Sequence, residues 1–557
     1  MDTRAPALAA TLDAFFEWYY RTYPVNATFI GLHEQDARLP DCSEHGLGDA
    51  HTGIEALRAR FRALPPEQLT EAEALDRKLA EGFLDVQRWE YRSTHFYRGN
   101  PCAYTGEATF GVISLFLRPF APLSARVDAA VGRMLAVPAL LAQGRQNVQA
   151  APRAWTERAL RECTGALAFF ERGVDMLIHE EGITRPRLRS AAGVAAAAFR
   201  EFQAYLETEL LQHTTDGYAC GGEALSLLLN RGHFLDMDAR GVVDLALEHA
   251  AASKDQMKAL GTTVAAEHWR EALDRLTERH PTVDRYYVRY AEVWQEAQAA
   301  AETHGLVTWP DYPIRYVPQP AWARGAAPSL YFLFYRAPAA FDRAPIVEYL
   351  VTPIEPDMPV EEQTRRLRAT NDSVIKLNHV IHHGGLGHHV QNWNAYHRAA
   401  SRIGQVAAVD CASRIAMFCG GTTAEGWACY ATDLMDEIGF LDPLERLSQA
   451  HARLRMATRA LVDVRLHQGE WTLEQAAACY RDQVGMSADA AHAEAVKNSL
   501  FPGTALMYLT GTEQIHRLRR DLATRQKTFT LRTFHDRFLS YGSVPVALIG
   551  KAMLQEQ

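Results

Sequence analysis

The chain contains 557 residues, of which 48% are apolar and 22% are charged, and its formal net charge is −9. These globular proportions exclude collagen-like, low-complexity and wholly disordered proteins. Because the chain is acidic and has no long basic run, we expect no nucleic-acid partner.

The first 300 residues or so carry the pattern of amphipathic helices. Apolar residues recur every three to four positions over 5–22, namely Leu8, Leu12, Phe15, Phe16 and Tyr19. Similar stretches cover 69–92, 124–147, 154–182, 187–212, 239–260 and 263–303, between breaks that contain proline or glycine. This pattern predicts a mostly α-helical protein.

The pattern becomes β-rich between residues 306 and 355. Two runs of β-branched and aromatic residues, Ser329 to Arg336 and Ile346 to Ile354, lie among prolines and glycines. They predict a small antiparallel sheet near the middle of the chain, and helical patterns resume from about residue 360. Because no linker interrupts the chain, we expect one domain over 1–557, with possible lobes at 1–305 and 306–557. The oligomeric state stays open.

Cysteine usage and hydropathy bear on where the protein resides. None of the eight cysteines has C-x-x-C spacing, and their low density is typical of reduced thiols in the cytosol. Asp13 and Glu17 interrupt the N-terminal stretch, which therefore does not resemble a signal peptide. No run of about 18 apolar residues occurs. We therefore expect a cytoplasmic protein without a membrane partner.

Histidine is concentrated in one short segment. Residues 379–397 hold six of the 22 histidines, whereas an even spread would place about one there. The six are His379, His382, His383, His388, His389 and His397. Since neutral imidazole is the commonest metal ligand in proteins, the cluster indicates a metal site.

The spacing within the cluster leaves two interpretations open. His382 and His388 are six residues apart, and on a regular helix this separates them by about 9 Å, too far to share a metal. Three of the four residues from Gly384 to Gly387 are glycine, so a bulge there would restore an i, i+4 relation. Alternatively, the glycines end a helix and the histidines are a surface run.

Glu425 is the candidate third ligand, and it too has two interpretations. It follows Thr422 with T-x-x-E spacing, which is typical of a capping box that satisfies backbone amides. Zinc sites with two histidines and one glutamate would instead use its carboxylate on the metal. Residue spacing alone does not decide between them.

Three motifs carry a resemblance to a known family. Residues 382–391, 425–428 and 459–467 resemble the H-E-x-x-P-G-H-H-x-Q, E-G-W-A and R-L-V-V-D-x-x-L-H segments of the bacterial domain-of-unknown-function family 885 (DUF885), which is similar to zinc metallopeptidases. Weaker matches lie at 24–31, 502–511 and 534–536. The motifs occur in the family's order along nearly the whole chain.

The resemblance implies a mostly α, zincin-like body with a zinc ion, or alternatively iron, held by His382, His388 and Glu425. It places His389 and Gln391 nearby, and it makes the strand from Ser329 to Arg336 a candidate edge for an extended peptide. Arg459, His467 and Tyr508 match polar positions of the family. They could stabilise negative charge on a substrate oxygen or be buried structural residues.

One departure from the family motif bears on activity. The signature glutamate is His383 here, and the signature proline is Leu386. In the usual mechanism that glutamate takes a proton from metal-bound water and passes it to the leaving amine. The candidate catalytic residues are therefore His383, His389, Arg459, His467 and Tyr508, with ordinary peptidase activity expected to be weak.

Three functions follow as hypotheses. The first is a zinc-dependent hydrolase that acts on a peptide or amide bond. The second is a non-haem Fe(II)-type enzyme, because two histidines and one carboxylate also describe its metal site. The third is a non-catalytic relative that binds a peptide or small molecule. The identity of the metal would separate the first two, and turnover would separate both from the third.

Overall fold

The structure is a computed structural model that describes residues 5–65, 69–311, 313–329, 335–336, 340–342, 347–406 and 420–555. Most of the described chain is helical, as the periodicity predicted. In this part of the chain, no helix is both long and apolar enough to cross a lipid bilayer.

The N-terminal helices bury the predicted apolar stripes. Leu8, Leu12, Phe15 and Tyr19 of the first helix are almost fully buried. The fourth helix begins at a capping box between Thr70 and Glu73. The helices are α1 (Ala5–Thr22), α2 (Pro24–Ile30), α3 (Glu44–Arg62), α4 (Glu71–Glu90), α5 (Cys102–Ile113), α6 (Leu123–Asn147), α7 (Arg153–Ala168), α8 (Val174–Glu180) and α9 (Pro186–Thr208).

The middle of the chain continues with α10 (Gly222–Leu227), α11 (Ala239–Thr263), α12 (Trp269–Thr277) and α13 (Tyr286–Thr303). The single helix predicted over 263–303 is therefore wrong. The chain forms two helices there, and Pro281 lies in the connection between them. Proline lacks the backbone N–H that a continuous helix would need.

Short strands form two sheets. A two-residue parallel pair joins β1 (Ala151–Pro152) to β2 (Thr214–Thr215). The larger sheet has the order β3 (Ile314–Pro318), β5 (Val347–Val351), β4 (Tyr335–Arg336). Its β4–β5 pair is antiparallel, but β3 and β5 are parallel, so the wholly antiparallel sheet that we predicted is wrong. Of the predicted strand from Ser329 to Arg336, residues 330–334 lie outside the described chain.

The C-terminal helices carry the candidate site. They are α14 (Val360–Ala369), α15 (Asp372–Val374), α16 (His388–Arg398), α17 (Gly421–Glu437), α18 (Pro443–His467), α19 (Leu473–Cys479), α20 (Ala488–Leu500), α21 (Met507–Arg525), α22 (Leu531–Leu539) and α23 (Val546–Gln555). A π-helical segment, Ile375–Gly384, follows α15 and ends shortly before α16. A capping box between Asp442 and Glu445 begins α18.

One hydrophobic core includes side chains from Leu8 near one end of the chain to Met553 near the other. Helices on both sides of residue 305 therefore pack on it. The division into two lobes stays a prediction.

Candidate metal centre

A glycine-containing break separates the two outer histidines. The π-helical segment ends at Gly384, the backbone turns away from helical geometry at Gly385 (φ −116°, ψ −120°), and α16 begins at His388. The Gly387 amide donates to the Ile381 carbonyl oxygen at 2.9 Å, a span of six residues. The predicted interruption of helical hydrogen bonding at Gly384–Gly387 is confirmed.

The break requires glycine because the backbone passes very close to its neighbours. A Cβ at Gly387 would lie 1.9 Å from the His382 carbonyl oxygen, and one at Gly384 would lie 2.2 Å from the Tyr316 hydroxyl. A side chain at Gly387 would have to displace the backbone of His382, and one at Gly384 would have to displace the Tyr316 side chain. The ring centroids of His382 and His388 are consequently 5.0 Å apart.

Glu425, the fifth residue of α17, lies beside this pair. Its Oε2 lies 3.3 Å from His382 Nε2 and 3.6 Å from His388 Nε2. Helix α17 has Gly420 at its N-cap and no side-chain cap. The Thr422 hydroxyl accepts a hydrogen bond from the Val546 amide instead, so the capping-box interpretation is wrong.

Two contacts of the E-G-W-A segment set the position of Glu425. The Trp427 indole N–H donates to the Leu386 carbonyl oxygen at 2.9 Å, which ties α17 to the glycine break. A Cβ at Gly426 would lie 2.6 Å from the backbone of Gly511, so α17 and α21 cross at a pair of glycines. The motif thus joins the carboxylate to the histidine segment.

The donor atoms fit a divalent metal. Donors held about 2.1 Å from one tetrahedral zinc ion lie ~3.4 Å apart, close to the 3.3 and 3.6 Å separations between Glu425 and the two imidazoles. The Glu425 Oε2 is buried and accepts no protein hydrogen bond. A buried carboxylate oxygen without a donor calls for a cation. His382, His388 and Glu425 could therefore hold zinc.

The pKa shifts of Glu425 and His382 are consistent with metal binding. Burial raises the pKa of Glu425, but the neighbouring His388 and His382 outweigh it and hold that pKa well below its usual range. Burial lowers the pKa of His382, which favours the neutral imidazole that a metal binds.

His383 lies beside this group and offers an alternative donor. The ligand nitrogens of His382, His383 and His388 all lie within 4.8 Å of one another, a set that does not include Glu425. Because Glu425 Oε2 lies 3.3 and 3.6 Å from the nitrogens of His382 and His388, we regard His383 as a neighbour or a fourth donor. Its Nδ1 donates to the Asn378 carbonyl oxygen at 2.7 Å, which leaves Nε2 as the available atom. Burial lowers the pKa of His383 well below its usual value.

The other three histidines of the cluster do not belong to the described lining of the cavity at the candidate metal donors. His379 Nδ1 forms a 2.6 Å hydrogen bond with the Tyr349 hydroxyl of β5. His389 is fully buried. His397 is exposed on α16, and its Nδ1 contacts the Trp393 carbonyl oxygen.

A cavity of about 860 Å³ opens onto the site. His382, His383, His388 and Glu425 line one part of it, together with the predicted residues Arg459 and Tyr508. The Arg459 guanidinium lies 5.2 Å from the centre of the Tyr508 ring and pairs with Glu494 at 2.6 Å. The site therefore has a space in which a substrate could meet both the metal donors and these polar groups.

The structure does not bring the remaining predicted residues to this cavity. His467 is fully buried, and its Nε2 lies 2.9 Å from the Asn498 carbonyl oxygen. Gln391 donates to the Ser543 hydroxyl at 2.7 Å. Neither they nor His389 belong to the described lining of the cavity.

The sequence did not single out four other cations that line the cavity, namely Arg453, Arg455, Lys497 and Arg520. Arg455 precedes Arg459 by four residues, so helical spacing alone could have placed it on the same face. Lys497 lies on α20, 38 residues after Arg459, and no local pattern connects the two.

Comparisons with known proteins agree with the motif order. The profile of DUF885, described as "Bacterial protein of unknown function", matches residues 24–553. No curated protein gives a significant match. A solved structure from Shewanella oneidensis, described as "a putative lipoprotein of unknown function", has a TM-score of 0.78 and 22% identity, with 98% of this chain and 99% of that chain covered. A second solved structure is described as "the putative lipoprotein from Colwellia psychrerythraea". It has a TM-score of 0.78 and 16% identity, with 100% of both chains covered. These likenesses establish the fold.

Proposed function

Because this chain belongs to DUF885, a bacterial family of unknown function, we propose its activity from the chemistry of the site: a metal-dependent hydrolase of peptide or amide bonds. The observation that carries the proposal is the buried Glu425 oxygen, which has no hydrogen-bond donor and lies 3.3 and 3.6 Å from two imidazole nitrogens at a cavity wall. Two histidines and one glutamate are a donor set typical of hydrolytic zinc.

The residues of the site would have three roles in this reaction. His382, His388 and Glu425 would hold zinc, which when bound supplies Lewis acidity and an activated water. Arg459 and Tyr508 line the same cavity and would stabilise negative charge on the substrate oxygen. The Nε2 atom of His383 would accept the proton that the family's glutamate otherwise takes.

His383 makes the proposed hydrolysis slow. A proton acceptor works best when its pKa is near the working pH, whereas burial holds the pKa of His383 well below 6.5. The proposed enzyme would therefore cleave ordinary peptides weakly.

An iron-dependent enzyme is the second candidate. His383 adds a third nitrogen within 4.8 Å of those of His382 and His388, and a nitrogen-rich set with a carboxylate also suits Fe(II). Elemental analysis of protein purified without added metal separates the two candidates, because it identifies the bound ion directly.

Metal content tests the site itself. We expect about one transition-metal ion per chain in the wild type. The variants His382→Ala, His388→Ala and Glu425→Gln should each weaken metal binding more than about 100-fold, because each removes a direct ligand. The measurement is metal content by mass spectrometry after dialysis against a zinc buffer.

His397→Ala is the matched control, because His397 belongs to the same histidine cluster but is exposed. It should keep full occupancy. If Glu425→Gln also keeps full occupancy, Glu425 is not a ligand and the His382, His383 and His388 set replaces it.

A cytoplasmic location is part of the proposal. It is supported by the six cysteines that the structure describes, all of which have free thiols. Cys411 and Cys419 lie outside the described residues.

A further inference from the structure

The arginines that line the cavity are not equivalent. Three of them pair with a carboxylate, and the pairs are Arg453 with Asp433 at 2.7 Å, Arg459 with Glu494 at 2.6 Å and Arg520 with Glu513 at 2.8 Å. Arg455 lines the same cavity, but among the described residues no hydrogen bond or ion pair involves it. Its Nε is buried without an acceptor.

An unpaired guanidinium is costly in such a place. Removing a charge from water without a partner destabilises the fold by several kcal/mol unless a ligand or a counter-charge compensates. Burial and the neighbouring Arg459 lower the pKa of Arg455, yet an arginine side chain stays charged at neutral pH. Among the described residues, Arg455 therefore has no carboxylate bonded to it, although Glu494, the partner of Arg459, attracts it electrostatically.

Arg455 lies on the same side of the cavity as Arg459, and its position can be compared with that of the proposed metal donors. On α18, Arg455 lies one turn before Arg459. On α17, Cys429 lies one turn after Glu425, and the Cys429 thiol interacts electrostatically with both arginines. One helical turn rises about 5.4 Å. Arg455 thus lines the same cavity as the proposed metal donors His382, His388 and Glu425.

We propose that Arg455 binds a carboxylate of the substrate, so that the cavity selects peptides or acyl amino acids that carry a free carboxylate close to the cleaved bond. This deepens the proposed hydrolase function and rests on it. The planar guanidinium can donate two parallel hydrogen bonds to a carboxylate. One guanidinium without a bonded carboxylate among the described residues matches a monoanion better than a phosphate dianion.

The test compares peptides that differ in their charged groups. We would measure kcat/KM of zinc-loaded protein for trialanine, for trialanine amide and for a peptide amide with one internal aspartate. A hydrogen-bonded charge is worth roughly 10- to 150-fold, so trialanine should exceed its amide by that factor. Preference for the internal aspartate instead would mean that the carboxylate comes from a side chain.

Variants assign the preference to Arg455. Arg455→Gln should bring the ratio of kcat/KM for trialanine to that for its amide close to one, while Arg455→Lys should keep part of the preference. Arg465→Gln is the matched control, because Arg465 lies on the same helix but pairs with Glu470 outside the cavity lining. Arg455→Met should raise the unfolding temperature of the free protein, since it removes a charge without a partner. A purely structural arginine would do the opposite.

Direct binding separates failure of this inference from failure of the proposed function. If no protein cleaves any peptide, hydrolysis is wrong, and isothermal titration with trialanine and its amide still decides the role of Arg455. Tighter binding of trialanine that is lost in Arg455→Gln supports the inference. Equal affinity for acid and amide, binding of neither, or tighter binding of inorganic phosphate overturns it.

Discussion

The imidazole of His383 limits the proposed reaction at the scale of one residue. Its Nδ1 is engaged with the Asn378 carbonyl oxygen, and burial lowers its pKa, so the ring is a weak proton acceptor. A carboxylate in the same place would restore the proton transfer that the family motif implies. The catalytic potential of the whole cavity thus depends on this substitution.

We expect His383→Glu to raise the rate of peptide hydrolysis by about 10²- to 10⁴-fold, the usual contribution of a positioned general base. Metal content should stay near that of the wild type, because His382, His388 and Glu425 remain. The measurement is the initial rate on a mixed peptide library with zinc present.

His397→Glu makes the same chemical change at an exposed histidine and should leave the rate unchanged. Efficient cleavage by the wild type that falls in His383→Glu would mean that imidazole is the working base. An absence of cleavage by both proteins would contradict the hydrolase proposal.

The glycine break between the π-helical segment and α16 acts at the scale of an element. It turns a six-residue spacing into a close pair of imidazoles, which a continuous helix would hold about 9 Å apart. Because Gly387 lies against the carbonyl oxygen of His382, its lack of a side chain directly controls the position of one ligand.

Gly387→Ala should therefore weaken zinc binding at least tenfold and destabilise the fold by about 1–3 kcal/mol. The new Cβ would lie 1.9 Å from the His382 carbonyl oxygen, and the backbone must move to relieve that overlap. Zinc affinity from competition with a chelator and the free energy of unfolding in urea measure the two effects.

Gly193→Ala is the control for this change. Gly193 lies inside α9, and nothing lies within 4 Å of the position that a Cβ would take there, so alanine should stabilise the protein by about 0.5–1 kcal/mol. Unchanged zinc affinity in Gly387→Ala would show that the backbone can relax without moving His382.

Contacts between distant parts of the chain hold the whole molecule together. His33, which follows α2, bridges Asp36 at 2.9 Å and Asp342 at 2.8 Å, although Asp342 lies 309 residues further along the chain. The Phe341 amide also donates to the Ile30 carbonyl oxygen at 3.0 Å. The end of α2 thus anchors residues 340–342, between β4 and β5.

This bridge predicts a loss of stability at alkaline pH. Burial lowers the pKa of His33, but its hydrogen bonds to Asp342 and Asp36 outweigh burial and raise it from 6.5 to about 9. The stabilisation is complete below pH 6.5 and fades as pH rises towards 9, because the unfolded chain loses its proton first. We expect a loss of about 1–2 kcal/mol over this range, discounted because the side chain is 28% exposed.

The measurement is urea unfolding of metal-free protein between pH 6 and pH 9, in the wild type and in His33→Gln. The variant should lack this part of the pH dependence. His45→Gln is the control, because His45 pairs with Asp49 on the surface of α3, and this variant should keep the pH dependence of the wild type. If the free energy of unfolding depends on pH in the same way in the wild type and in His33→Gln, the His33 bridge is not the cause of the loss of stability at alkaline pH.

The sequence by itself determined the helical character and the glycine break, while the metal site stays a prediction. Apolar periodicity predicted α1 because one face of that helix packs on the core, and clustered imidazoles with Gly384 to Gly387 predicted both a metal and a break. These signals are local, since a ligand type, a glycine or an amphipathic stripe acts through its own neighbours in the chain.

Only the tertiary structure decided the relations between distant residues. The role of Glu425 depended on whether Thr422 caps α17 or contacts residue 546, and T-x-x-E spacing fits both. The parallel pairing of β3 with β5 and the separation of His467 from the cavity likewise depend on how helices and strands pack. Arg455 matters because no carboxylate of the described chain forms an ion pair with it. Residues that contact each other in the fold often lie far apart in the chain, and the spacing of neighbouring residues cannot predict such contacts.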